Sequence, residues 1–100
     1  MAVELEWDGR KRLANLAKHG LDFARAAELF AGVVVASEDT RRGYREHWVI
    51  AIGISAGTVL AYVYTDRTTA EGRIVRRIIS LRPASRKERE RYDDDTRPAP

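Results

Sequence analysis

The change of period at Val33 limits what this chain can fold into more than any other feature. Upstream, apolar residues recur at helical spacing; downstream, β-branched runs alternate with polar residues and are broken by short polar connections. The runs Val33 to Ser37, His47 to Ser55, Thr58 to Thr65 and Arg73 to Arg82 therefore read as strands. Their connections, Glu38 to Glu46, the "SAGT" turn and Asp66 to Gly72, suit hairpins, so neighbouring strands run antiparallel.

The upstream half supplies the other layer. Val3 to Trp7 alternates apolar and acidic residues as a short strand does, and Asp8 stands where a helix N-cap belongs. A first helix is expected from about Gly9 to Lys18, with Leu13, Leu16 and Ala17 at helical spacing and Gly20 as its stop. Asp22 caps a second, whose Ala26, Ala27, Leu29 and Phe30 form an apolar face and which ends near Ala31 and Gly32, while Phe23 packs against the first helix. Near the C-terminus Ser85 and Glu88 have capping-box spacing, which predicts a short charged helix over about Arg86 to Tyr92.

The expected architecture is thus α+β: two N-terminal helices packed on a mainly antiparallel four-stranded sheet, with a short C-terminal helix. A chain of 100 residues fits one domain, here 1–92, followed by a flexible acidic and Pro-containing tail, 93–100. The charged N-terminus and the lack of a long apolar run predict a soluble, cytoplasmic protein without a membrane partner. With no cysteine, thiol nucleophiles and thiolate metal sites are excluded, and no spacing suggests a metal or another cofactor.

Of the 18 cationic residues only Lys11, Lys18 and Lys87 are lysines, so arginine carries the basic balance. Arginine's planar fork suits phosphate, which points toward nucleic acid. Arg67, Arg77 and Arg82 lie on neighbouring strand segments and can converge on one open sheet face, either as a phosphate-binding surface or as a lattice of salt bridges. Proton transfer has six candidates, His19, His47, Glu46, Tyr44, Tyr64 and Tyr92. Two readings fit: a nuclease in which a base takes a 2'-hydroxyl proton while cations stabilise the pentavalent phosphorus, or a non-catalytic basic module that binds RNA or an acidic protein.

In order along the chain, "LEWDGRKRLANLAKHGLDF", "ARAAELF", "REHWVIAIGIS", "YVYTDR" and "RRIISLRPASRKERERY" together resemble the BrnT family of bacterial type II toxins, from about Leu5 to Tyr92. The resemblance implies a RelE-like fold and a metal-independent endoribonuclease that arrests translation. It also implies a cognate antitoxin with a ribbon-helix-helix domain, which neutralises the toxin and binds operator DNA. Carried over position by position, the site residues it implies are Lys18, His19, Glu46, Arg67, Arg77 and Arg82. Among these, His19 or Glu46 acts as base or acid, Lys18 contacts a phosphate or the leaving group, and the arginines stabilise charge.

Overall fold

A computed structural model of the chain describes residues 3–30, 32–39 and 47–98. Five strands form one sheet: β1 (Val3–Trp7), β2 (Val35–Glu38), β3 (Val49–Ser55), β4 (Thr58–Thr68) and β5 (Ile74–Pro83). The helices are α1 (Gly9–His19), α2 (Ala26–Phe30), which follows a 3-10 turn at Phe23–Arg25, and α3 (Arg86–Thr96). Strands β2 to β5 form the expected antiparallel meander, held at the β3–β4 turn by Ala56 and Gly57, both at positive φ.

The four-stranded expectation is corrected to five. Strand order is β1-β5-β4-β3-β2, and β1 joins β5 in parallel with Val3 opposite Ile74 and Trp7 opposite Ile78. A parallel pair separated by most of the chain leaves no local turn signal, so the sequence showed the strand and not its partner. The second N-terminal helix is also shorter than expected, its first turn being 3-10. At the other end α3 continues through Asp93, Asp94 and Asp95 to Thr96, past the expected end at Tyr92. Arg91 pairs with Asp95, and Thr96 Oγ1 donates to the Tyr92 carbonyl at 2.6 Å, which carries the extra turn.

Both sheet faces are covered, by different elements. Leu21, Phe23, Ala26 and Leu29 pack on Ala51, Leu60, Tyr62, Ile78 and Leu81 on one face. Gly53 lets α2 approach β3 closely, because a Cβ there would stand 3.1 Å from Val34 and 3.3 Å from Leu29. Across the sheet, Tyr92 of α3 packs with Ile52, Ala61 and Ala84, and its hydroxyl donates to the Val33 carbonyl at 3.2 Å. Helix α3 therefore lies over the β2–β3 side. Among the described residues, no helix is long and apolar enough to cross a membrane.

Helix α1 departs from the usual amphipathic arrangement. Its ends are as expected: the Asp8 carboxylate accepts from the Arg10 and Lys11 amides, and Gly20 at φ 70° closes the last turn on the Leu16 carbonyl. Yet its one buried residue is Asn15, while Leu13 is 61% and Leu16 38% exposed. The reason lies in β5, which runs on past Ile78 where β1 stops and so presents an unpaired edge. The Asn15 side chain fills the missing strand's place, donating to the Leu81 carbonyl at 2.8 Å and accepting from the Leu81 amide at 3.1 Å. It also donates to the Leu21 carbonyl at 3.1 Å, which ties the helix end to the turn after it.

Candidate functional site

At 3.6 residues per turn, the side of α1 that carries Asn15 also carries Lys11, Ala14, Lys18 and His19. These side chains form one wall of a cleft of about 370 Å³. Asp39 and Trp48, the residues flanking the β2–β3 hairpin, form the facing wall, and Val63, Ile79 and Ser80 the floor. The Asp39 amide donates to the Trp48 carbonyl at 2.8 Å, which continues the ladder one step beyond β2 and fixes both residues at the cleft. The floor owes its shape to a bulge: Val63 faces Ser80 and Tyr64 faces Ile78, so Ile79 is the extra residue and both Ile79 and Ser80 line the cleft.

The electrostatic content of the cleft is mixed. Among the described residues neither Lys11 nor Lys18 forms a side-chain ion pair, while Asp39 is buried at 7% exposure. A buried carboxylate opposite two lysines and a histidine is an arrangement suited to proton transfer beside a phosphate. Trp48 is half-buried and gives the cleft an aromatic wall. Among the described residues no three His, Asp or Glu side chains gather as ligands for a metal ion.

The predicted site residues divide into those at the cleft and those beside it. Lys18 and His19 line it. The three arginines lie on the sheet face that forms the floor, because Arg82 opposite Ala61, Ser80 opposite Val63, Arg77 opposite Thr65 and Val75 opposite Arg67 are successive pairs on that face. Arg77 and Arg82 thus flank the floor, each about 7 Å along the ladder from the Val63–Ser80 pair. Arg67 lies one pair further away, where its Nη2 bonds Glu6 Oε1 at 2.6 Å. Arg73 pairs with Glu4 on the same strip, so the outer part of this face is the salt-bridge lattice that the sequence left open.

Arg82 holds both carboxylate oxygens of Glu88, at 2.6 and 2.9 Å, and Glu88 Oε1 also accepts from the Ser85 amide at 2.8 Å. The hydrogen bonds from Arg82 hold the Glu88 carboxyl down to about 2. Arg82 is therefore engaged in fastening the start of α3 beside the cleft. Glu46 and Tyr44 lie outside the described residues.

The other proton-transfer candidates have occupations elsewhere. His47 is exposed and its Nδ1 sits 3.2 Å from Glu38. Tyr64 lies on the face covered by α2, stacked on Tyr62 and beneath the Arg76 guanidinium, and burial raises its hydroxyl above the ordinary range. Tyr92 is committed to the Val33 carbonyl.

Sequence reasoning missed Lys11, Asn15, Asp39, Trp48 and Ser80 as cleft residues. A cation in mid-helix and an acid in a polar connection look alike whether solvated or gathered at a site. The one local signal was Asn15, a polar residue on the helix line that continues through Lys18 and His19.

No curated protein matches the chain. A family model described as the ribonuclease toxin BrnT of type II toxin-antitoxin systems matches residues 7–88, which takes in α1, the cleft, the whole meander and the start of α3. The chain belongs to this family of ribonuclease toxins, and membership in a type II toxin-antitoxin system implies an antitoxin partner.

Proposed function

We propose that the chain is a metal-independent endoribonuclease acting in the cleft between α1 and the β4–β5 floor. The observation that carries this reading is the gathering of Lys11, Lys18, His19, buried Asp39 and Trp48 around one cavity of nucleotide size. RNA brings its own nucleophile, so the protein's part is small. A base removes the 2'-hydroxyl proton, the oxygen attacks the adjacent phosphorus, and an acid protonates the departing 5'-oxygen. His19 and a carboxylate, Asp39 or Glu46, divide the proton transfers. Lys11, Lys18 and Arg77 stabilise the charge that accumulates on phosphorus, and Trp48 stacks on a base. Arg82 positions this set through Glu88 and α3, with Arg67 at its periphery.

In this reading the enzyme has a RelE-like fold, cuts cellular RNA in the cytoplasm and so inhibits translation. An antitoxin with a ribbon-helix-helix domain neutralises it and carries the complex to operator DNA. The experiment is incubation of purified protein with RNA in EDTA, followed by analysis of the ends. New 5'-hydroxyl and 2',3'-cyclic phosphate termini are expected. RNA that is bound in a salt-dependent way and never cut would instead establish the non-catalytic module.

A further inference from the structure

The sheet sets four chemically distinct side chains in one row at the cleft. Val35 lies opposite Ile52 and Ser37 opposite Ile50, and this face is the one under α3: Val35, Ile50 and Ile52 belong to the cluster around Tyr92, and Ser37 accepts from Arg91. Two positions further along each strand the same face carries Asp39 and Trp48, which the bond from the Asp39 amide to the Trp48 carbonyl sets opposite one another. Carried one step past Val49 and Tyr64, the β3–β4 register brings Trp48 opposite Thr65, and Thr65 lies opposite Arg77. Carboxylate, indole, hydroxyl and guanidinium thus follow one another across the sheet at the strand spacing of about 5 Å.

That order matches one nucleotide. A base lying on the Trp48 ring turns an edge toward Asp39 and its phosphate toward Arg77 and the lysines of the α1 wall. The carboxylate then decides which base is held. An ionised carboxylate only accepts, and guanine alone among the four RNA bases offers two parallel donors, N1–H and the N2 amino group, on its Watson–Crick edge. Adenine and cytosine present an amino group beside a bare ring nitrogen, and uracil a single N–H between two carbonyls, so each sets an acceptor against the carboxylate. Two carboxylate oxygens have about four lone-pair positions, so both guanine donors can be taken alongside contacts within the protein. At 7% exposure Asp39 has little water to make good a mismatched edge, which sharpens the choice.

We propose that Asp39 and Trp48 form a guanine-binding subsite, so that the protein selects RNA with a guanine at a fixed place beside the cut. This rests on the cleft being the RNA site, and it leaves the carboxylate's share of proton transfer to Glu46.

The test uses short 2'-fluoro RNAs, which lack the attacking hydroxyl, so that binding is read apart from cleavage. Each is uridine throughout except for one guanosine, inosine, 7-deazaguanosine, adenosine or cytidine. Fluorescence anisotropy should show the guanosine strand bound at least about tenfold more tightly than the adenosine, cytidine or all-uridine strands. Inosine, which lacks the N2 amino group, should lose about fivefold or more, and 7-deazaguanosine, which keeps both donors, should stay within about twofold of guanosine. Asp39→Asn sets a donor against one of the guanine donors and should bring guanosine and inosine within about twofold of each other, with thermal unfolding showing that the variant is folded. Equal affinity for guanosine and inosine in the unmodified protein overturns the proposal, whether or not Asp39→Asn folds. A folded Asp39→Asn protein that keeps the guanosine preference also overturns it. So does one that cuts guanosine- and inosine-containing RNA in the unmodified ratio at a uniformly lower rate, since that gives the carboxylate to proton transfer. A guanosine preference without any RNA cleavage would sink the ribonuclease reading and leave the subsite standing.

Discussion

Asn15 sets the geometry of the cleft through three hydrogen bonds, two of them to a single strand residue. Its amide is suited to Leu81 because it offers one donor and one acceptor side by side, as a strand neighbour does. Asn15→Asp keeps the shape and loses the donor, which sets a carboxylate oxygen against the carbonyls of Leu21 and Leu81. Urea unfolding should show a loss of about 2–4 kcal/mol. Leu13→Ala, on the exposed side of α1, should fall within about 0.5 kcal/mol of the unmodified protein. Trp48 makes a separate prediction at this scale: Trp48→Ala should weaken RNA binding by about 1–3 kcal/mol, and Trp48→Phe should retain most of it, as measured by fluorescence anisotropy with a short RNA.

At the scale of elements, α3 is fastened by the Arg82–Glu88–Ser85 clasp, whose geometry makes its stability depend on acid in a definite direction. The Glu88 carboxyl lies near 2 when folded, against an ordinary value of 4.5. A carboxyl held low stabilises the fold fully above its unfolded value, and that contribution is lost as pH falls through the folded one. Glu88→Gln should therefore cost about 1–3 kcal/mol at pH 7, and the gap to the unmodified protein should close between about pH 4.5 and 2, read from urea midpoints across that range. Arg12 and Asp22 behave in the same direction between α1 and the 3-10 turn, where two hydrogen bonds from Arg12 hold the Asp22 carboxyl at about 2. The caps at Asp8, Gly20, Asp22 and Ser85 were legible in the sequence because each involves residues two to four positions apart. The orientation of α1 was not, since the edge that draws Asn15 inward is 66 residues away along the chain.

At the scale of the molecule, the meander and the two-sided packing place a cationic helix wall over a bulged strand floor. The basic composition was readable from residue type, and Lys18 and His19 as a pair from the family resemblance, but strict alternation would set Arg77 and Arg82, five residues apart, on opposite faces, and only the bulge at Ile79 brings them to one. The parallel return of β5 to β1 and the gathering of Asp39 with Lys11 were not readable, because both depend on which distant segments become neighbours. The ion pair of Arg67 with Glu6 likewise needed the strand register to be seen. The central claim is that the α1 wall is where RNA is cut, and the most direct measurement is the cleavage rate of Lys18→Ala/His19→Ala beside that of Arg67→Ala. The account predicts a fall of at least about 100-fold in the first, with unfolding temperature retained, and a change of less than about fivefold in the second. A folded Lys18→Ala/His19→Ala protein that cuts RNA at the unmodified rate would contradict it.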